Sequence, residues 1–163
     1  DAKVYITERN RKMGALGYHT VENGVVTAYI SRKAVPSTYG RYVKGLVLRG
    51  KQITQPRYTP GLVSVLAHEI AEMLCDPAIA NYSAVDAQGR PWLIEVCDHV
   101  AGCYTTTTYN NALAVLPDVT LPNFYKLGAS APYSIYGSAS APFTLTKFGY
   151  GYYKSPSGSL VQL

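Results

Sequence analysis

His68 and Glu72 stand four residues apart, with Glu69 beside the histidine, in the segment Val65-Leu66-Ala67-His68-Glu69-Ile70-Ala71-Glu72-Met73-Leu74-Cys75-Asp76-Pro77. On a helix that spacing is one turn, so the imidazole and the Glu72 carboxylate lie on one face. In HExxH the same geometry presents two zinc ligands, and the intervening Glu is the general base. Here the second ligand position holds a carboxylate, which keeps a site but makes it harder and richer in oxygen. HExxE alone is a weak signal, because polar helix faces produce it by chance. Three neighbouring features strengthen it. His68, Glu69 and Glu72 are the only charged or ionisable groups between Thr59 and Cys75, whereas a solvated face also carries Lys or Arg. Asp76 brings another carboxylate to the helix end. Glu95-Val96-Cys97-Asp98-His99 follows about one hairpin later, where a third ligand and a supporting carboxylate are needed.

A helix must carry this motif, and the sequence predicts one from Thr59-Pro60 to Leu74 or Cys75. Thr59 is the expected N-cap, Pro60 suits the first turn, and Asp76-Pro77 ends the helix. Leu62, Leu66, Ile70, Met73 and Leu74 form the expected buried stripe, with Ser64, His68 and Glu72 on another face. Upstream, Val4 to Thr7 reads as a strand and Glu8 to Lys12 as a loop. Asn23-Gly24 between Leu16–Glu22 and Val25–Ser31 signals a hairpin. Residues 34–57 read as a long excursion with a short strand at Leu46-Val47-Leu48. Downstream, the turn Asp86 to Gly89 implies a hairpin of Tyr82–Val85 with Trp92–Val96. Thr105 to Thr108 is β-prone, and a last hairpin is expected around Phe143 to Tyr153.

Composition narrows the class. The chain has 163 residues, 47% hydrophobic and 15% charged, which fits one domain with a real core and excludes global disorder. No apolar run reaches the roughly 18 residues of a membrane-spanning helix, and no signal peptide is visible. Residues 1–57 hold 11 Lys/Arg against 3 Asp/Glu, and residues 58–163 hold 4 against 7. The cations come singly or in pairs, without the dense basic run of a nucleic-acid patch, so a solvated face is the better reading. Cys75, Cys97 and Cys103 contain no CxxC and read as small buried hydrophobes, with a Cys97–Cys103 bridge left open. Fifteen tyrosines suit half-buried strands and wet interfaces, which points to work inside an assembly. Residues 1–116 are read as the core. Residues 117–163, dense in Pro, Gly, Ser and Tyr, are read as an irregular tail packing on the core or on a neighbouring subunit.

Gly14-Ala15-Leu16-Gly17-Tyr18-His19, the segment Ala67 to Pro77 and Glu95-Val96-Cys97-Asp98 occur in the order seen in a zincin-like HExxE metallopeptidase family, which the chain resembles. Its members are encoded in tailed-phage, prophage and other bacterial genomes. Leu121 to Tyr125 and Ser140 to Phe143 resemble a further stretch, so the likeness spans roughly residues 3–150. It implies an α+β zincin-like fold, a mainly antiparallel twisted sheet packed on the metal-site helix, more firmly than any activity. The family's CDPVE reads Cys97-Asp98-His99-Val100-Ala101 here, which removes a carboxylate and leaves His99 open as a new ligand.

Together these readings make His68, Glu72 and Glu95 the ligands of zinc or another divalent cation, and Glu69 the general base. Asp98 is expected to orient His68 through its second ring nitrogen, and Asp76 to brace the helix end. His19 is read as structural. Residues 25–31 are the expected edge strand that would bind an extended peptide substrate. The functional expectation is a virion-associated protein, assembled in the host cytoplasm among other virion subunits. The alternative is an active zinc peptidase.

Overall fold

Short strands, tight turns and irregular loops surround the one α-helix among the described residues, which carries the motif. The computed structural model describes residues 2–8, 15–35, 37–45, 47–52 and 57–163. The class is α+β, with mostly antiparallel sheets and a single α-helix among the described residues. In the first sheet, β1 (Ala2–Thr7) runs parallel to β3 (Val25–Ser31), and β2 (Gly17–Glu22) runs antiparallel to β3. Asn23 and Gly24 join β2 to β3 with φ of 51° and 77°, the two left-handed positions of a type I′ turn. The order β1-β3-β2 makes β3 central. Residues 25–31 are therefore not the expected edge: both of their backbone faces are already paired, and β2 is an edge instead. Most of the predicted loop after Glu8 lies outside the described residues.

The excursion that follows contains β4 (Arg41–Val43), β5 (Val47–Leu48), β6 (Lys51–Gln52) and β7 (Arg57–Thr59). β4 pairs with β7, stacking Tyr42 on Tyr58 with ring centroids 4.9 Å apart, and β5 pairs with β6. Leu46, expected to open a short strand, lies outside the described residues.

α1 spans Leu62–Cys75. Its N-cap is Gly61 and not Thr59, which closes β7. A capping side chain is not needed there. The Leu62 and Val63 N–H groups donate to the carbonyls of Ser37 and Thr38, and the Gly61 N–H donates to Ser64 Oγ. Ser64 in turn donates to the Val115 carbonyl at 2.5 Å, tying the helix to β11 (Ala112–Pro117). α1 packs on β2, β3 and β11. Leu62, Leu66 and Val65 join Ile30 and Val35 in one apolar cluster.

The second half of the helix departs from the expected stripe. Its buried residues are Ser64, Val65, Glu69, Glu72 and Met73, whereas Ile70 is 40% and Leu74 79% exposed. The two glutamates are turned inward because their partners, described below, are inside.

β8 (Ala84–Val85) and β9 (Pro91–Trp92) form the second predicted hairpin, shorter than expected. Asp86 organises its turn, accepting from Gln88 N, Arg90 N, Arg90 Nε and Trp92 Nε1. β10 (Tyr104–Tyr109) pairs with β11 through Asn110-Asn111, with φ of 46° and 60°. The last hairpin lies later than predicted, between β12 (Tyr152–Lys154) and β13 (Leu160–Gln162), and β12 also pairs with β9.

Residues 117–163 find their partners within the chain. Phe124 and Ala139 pack on Val100 in a second apolar cluster, with Cys103, Tyr125 and Tyr133 around it. Tyr150 N donates to Asp98 O, Thr146 N to His99 O and Leu93 N to Tyr152 O. The surface that this irregular segment requires is supplied by the 93–100 loop, so its order does not by itself call for a second subunit. No helix among the described residues is long and apolar enough to cross a membrane.

Candidate metal centre

Three stretches of chain meet at the inward face of α1. β2 brings His19, α1 brings His68, Glu69 and Glu72, and the loop after β9 brings Glu95, Cys97 and Asp98. Gly17 lets β2 approach: a Cβ there would lie 2.6 Å from Glu69 Oε1 and 2.7 Å from Val65 Cγ1. His19, Glu69, Glu72, Glu95, Cys97 and Asp98 are between 1 and 7% exposed. His68 is the more open member, with a quarter of its side chain accessible.

His68 Nε2 lies 3.1 Å from Glu72 Oε2, so the turn-apart pair points to one place as the sequence predicts. The same nitrogen lies 3.1 Å from Asp98 Oδ1. Asp98 is thus on the Glu72 side of the ring and does not orient His68 through the second nitrogen. The ligand-type atoms fall into two sets, each within 4.8 Å: His68, Glu72 and Cys97, and His19, Glu72 and Glu95. Glu72 belongs to both. The expected trio of His68, Glu72 and Glu95 is therefore split, with Glu95 turned toward His19 and Cys97 in its place.

His19, read from the sequence as structural, joins the cluster. Its Nδ1 is 3.5 Å from Glu69 Oε2 and 3.8 Å from Glu72 Oε2, and its Nε2 is 3.2 Å from the Asp76 carbonyl. The only available signal was its position at the end of the GALGYH stretch. Asp76 braces the helix end as expected: its carboxylate accepts from Ala80 N and Asn81 N. His99 is no ligand. It is enclosed by Trp92, Phe124 and Tyr125, with Nδ1 2.9 Å from the Tyr125 hydroxyl. All three cysteines are free, so Cys97 and Cys103 form no bridge.

The electrostatics follow from burial. Burial pushes Glu95 up to about 9, helped by the Glu72 and Asp98 charges. Burial also raises Glu72, against the opposing pull of His68. Burial disfavours a charged His68, but the Glu72 charge and hydrogen bonds to Asp98 and Glu72 outweigh it and hold the ring well above its ordinary value. Burial raises the Cys97 thiol strongly. Glu72 Oε1 and Glu95 Oε2 are buried without a hydrogen bond among the described residues. No Lys or Arg among the described residues pairs with the cluster.

Compared with known protein families, curated proteins and solved structures, the chain matches none. The chemistry of the donors therefore carries the reading. Imidazole, thiol and carboxylate are the ligand types of zinc and its neighbours, and unsatisfied buried oxygens are what a cation would occupy. The residues present fit such an ion.

A cavity of about 260 Å³ opens beside the cluster. Its wall includes Gly17, His68, Glu69, Cys97, Tyr104 and Tyr150.

Proposed function

We propose that this chain is a zincin-like protein of the HExxE type, with zinc or another divalent cation held by His68 Nε2, Glu72 and Cys97 Sγ, and that it hydrolyses peptide bonds. The observation that carries the reading is that His68, Glu69 and Cys97 share one open cavity, with Glu72 buried behind them. Purely structural cation sites are closed, whereas sites that do chemistry keep a position open. When bound, a divalent ion supplies Lewis acidity and makes water a stronger acid. Glu69 is the proton acceptor within the cavity wall. Its Oε1 occupies the space that a side chain at Gly17 would fill, and its Oε2 faces His19 Nδ1 at 3.5 Å, which leaves the carboxylate little room to turn before a substrate arrives. β2 is an edge strand whose Gly17 lines the same cavity, which suits an extended peptide added alongside it.

The test is Glu69→Gln, assayed with a quenched peptide library after zinc loading. The variant should keep its metal and its fold and lose hydrolysis by about two or more orders of magnitude. Equal turnover in variant and parent would remove the mechanism.

A second reading follows from where the site sits. It joins β2, α1 and the 93–98 loop, so a cation there would staple three segments together. In a virion-associated protein, as the family resemblance suggests, that alone gives the site a purpose. Metal present with no hydrolysis by the parent protein would favour it.

A further inference from the structure

We propose that the chain holds a second divalent cation, bound by His19 Nδ1, Glu72 and Glu95 and bridged to the first site by the Glu72 carboxylate. The inference rests on the first cation site proposed above but not on the hydrolase reading, since it concerns cation number and not turnover.

Three observations carry it. The first is the tautomer of His19. Its Nε2 meets the Asp76 carbonyl at 3.2 Å, and a carbonyl only accepts, so Nε2 bears the hydrogen. That leaves Nδ1 facing Glu69 Oε2 and Glu72 Oε2, at 3.5 and 3.8 Å. Nδ1 is thus the ring atom aimed at the carboxylates, and either a proton or a cation stands between them. A ring N–H donated to a backbone carbonyl is also the usual way a metal-binding histidine is aimed. Two ligand atoms each about 2.1 Å from a tetrahedral ion stand about 3.4 Å apart, close to these separations.

The second observation is the unpartnered oxygens of the cluster: Glu69 Oε2, Glu72 Oε1, Glu95 Oε2 and Asp98 Oδ1, of which two belong to residues of the proposed set. Glu72 Oε1 and Glu95 Oε2 lack hydrogen bonds among the described residues, and the two residues are 3 and 6% exposed. Both residues belong to the set that His19 completes within 4.8 Å. His68 is not in that set, so one ion cannot use both histidines in this arrangement.

The third is charge. Glu69, Glu72, Glu95 and Asp98 are all buried. No Lys or Arg among the described residues pairs with them, so cations from solution are what would let carboxylates this enclosed ionise together. Imidazole with two carboxylates suits a first-row divalent ion such as Mn²⁺ or Zn²⁺. A carboxylate shared between two ions places them about 3.5–4 Å apart.

The probe is Mn²⁺ alone, added to metal-free full chain, with bound metal counted by elemental analysis and spin coupling read by electron paramagnetic resonance. Two ions per chain with a coupled spectrum are expected. His19→Ala and Glu95→Gln should each lower the count to one and abolish the coupling, whether or not the protein hydrolyses peptides. A single uncoupled ion in the unmodified protein overturns the proposal and leaves His19 as an imidazolium paired with Glu69 and Glu72. A count of two that neither variant changes overturns it as well. Because the unmodified protein gives the deciding spectrum, a variant that fails to fold does not shield the proposal.

Discussion

Replacing Gly17 by alanine tests the packing that brings β2 to the site. The added methyl would lie 2.6 Å from Glu69 Oε1 and 2.7 Å from Val65 Cγ1. Ordinary contacts are at about 3.5–4.0 Å, so the deficit is roughly 1 Å against two atoms at once. Neither atom can yield without effect. Val65 is in the apolar cluster under the sheet, and Glu69 is 3% exposed. Overpacking of this kind costs about 1–3 kcal/mol. At this chain length each kcal/mol moves the melting temperature by roughly 2–4 °C, which gives a fall of about 2–12 °C. If β2 lifts, His19 moves away from Glu72, and if Glu69 rotates, the proton acceptor leaves its position. Under the proposed mechanism either response lowers hydrolysis. Calorimetry on the metal-free protein and peptide turnover on the loaded protein read the two effects separately. A Gly17→Ala variant with unchanged melting temperature and unchanged turnover would refute the close approach of β2 to α1, and with it the account of how Glu69 is held.

Two further outcomes concern the frame. Ser64→Ala removes the acceptor for Gly61 N–H and the donor to the Val115 carbonyl, and should cost about 1–3 kcal/mol by denaturant unfolding; a neutral result would mean that the helix start is held by Ser37 and Thr38 alone. Asp118 is fully buried, which disfavours its charge, but donors from Ser138, Tyr136, Ser134 and Val119 outweigh burial and hold its carboxyl below the ordinary 3.8. The unfolded chain then takes up the proton first, so this contribution is complete above pH 3.8 and is lost as pH falls through the lowered folded value. Unfolding measured from neutral pH downward should show that loss, and Asp118→Asn should flatten it; an identical acid limb in both would argue against the bonding seen around Asp118.

Local signals were the most legible part of this sequence. Asn23-Gly24 marked a hairpin because few residue pairs tolerate two positive φ values. The helix ended at Asp76 as read, because the residue before Pro77 avoids the helical region. Asn110-Asn111 carries the same left-handed preference as Asn23-Gly24, and weighing it would have revealed β10–β11. The helix stripe was misread for a different reason. Periodicity reports which residues are apolar, and burial here is decided by where two histidines and four carboxylates meet. His19 lies 49 positions before His68, and no spacing rule links a strand residue to a helix across that distance. The pairing of Glu95 with His19 and of Cys97 with His68 likewise depends on how the 93–98 loop turns, which residue type does not encode.

The strap formed by residues 143–154 over the 93–100 loop has a consequence for the order in which the protein is made. α1 leaves the ribosome well before the backbone that pins its partner loop through Tyr150, Thr146 and Tyr152. At about 5–20 residues per second that interval is several seconds. During it the glutamates of α1 remain hydrated and accessible to ions of the surrounding solution, and Leu74 and Ile70 stay outward without penalty to an unfinished core. Capture of the proposed cation would therefore be a late event of synthesis, set by the arrival of the strap and not by formation of the helix. A nascent chain halted before residue 143 would present the whole motif on a helix and still lack the enclosure that makes it a site.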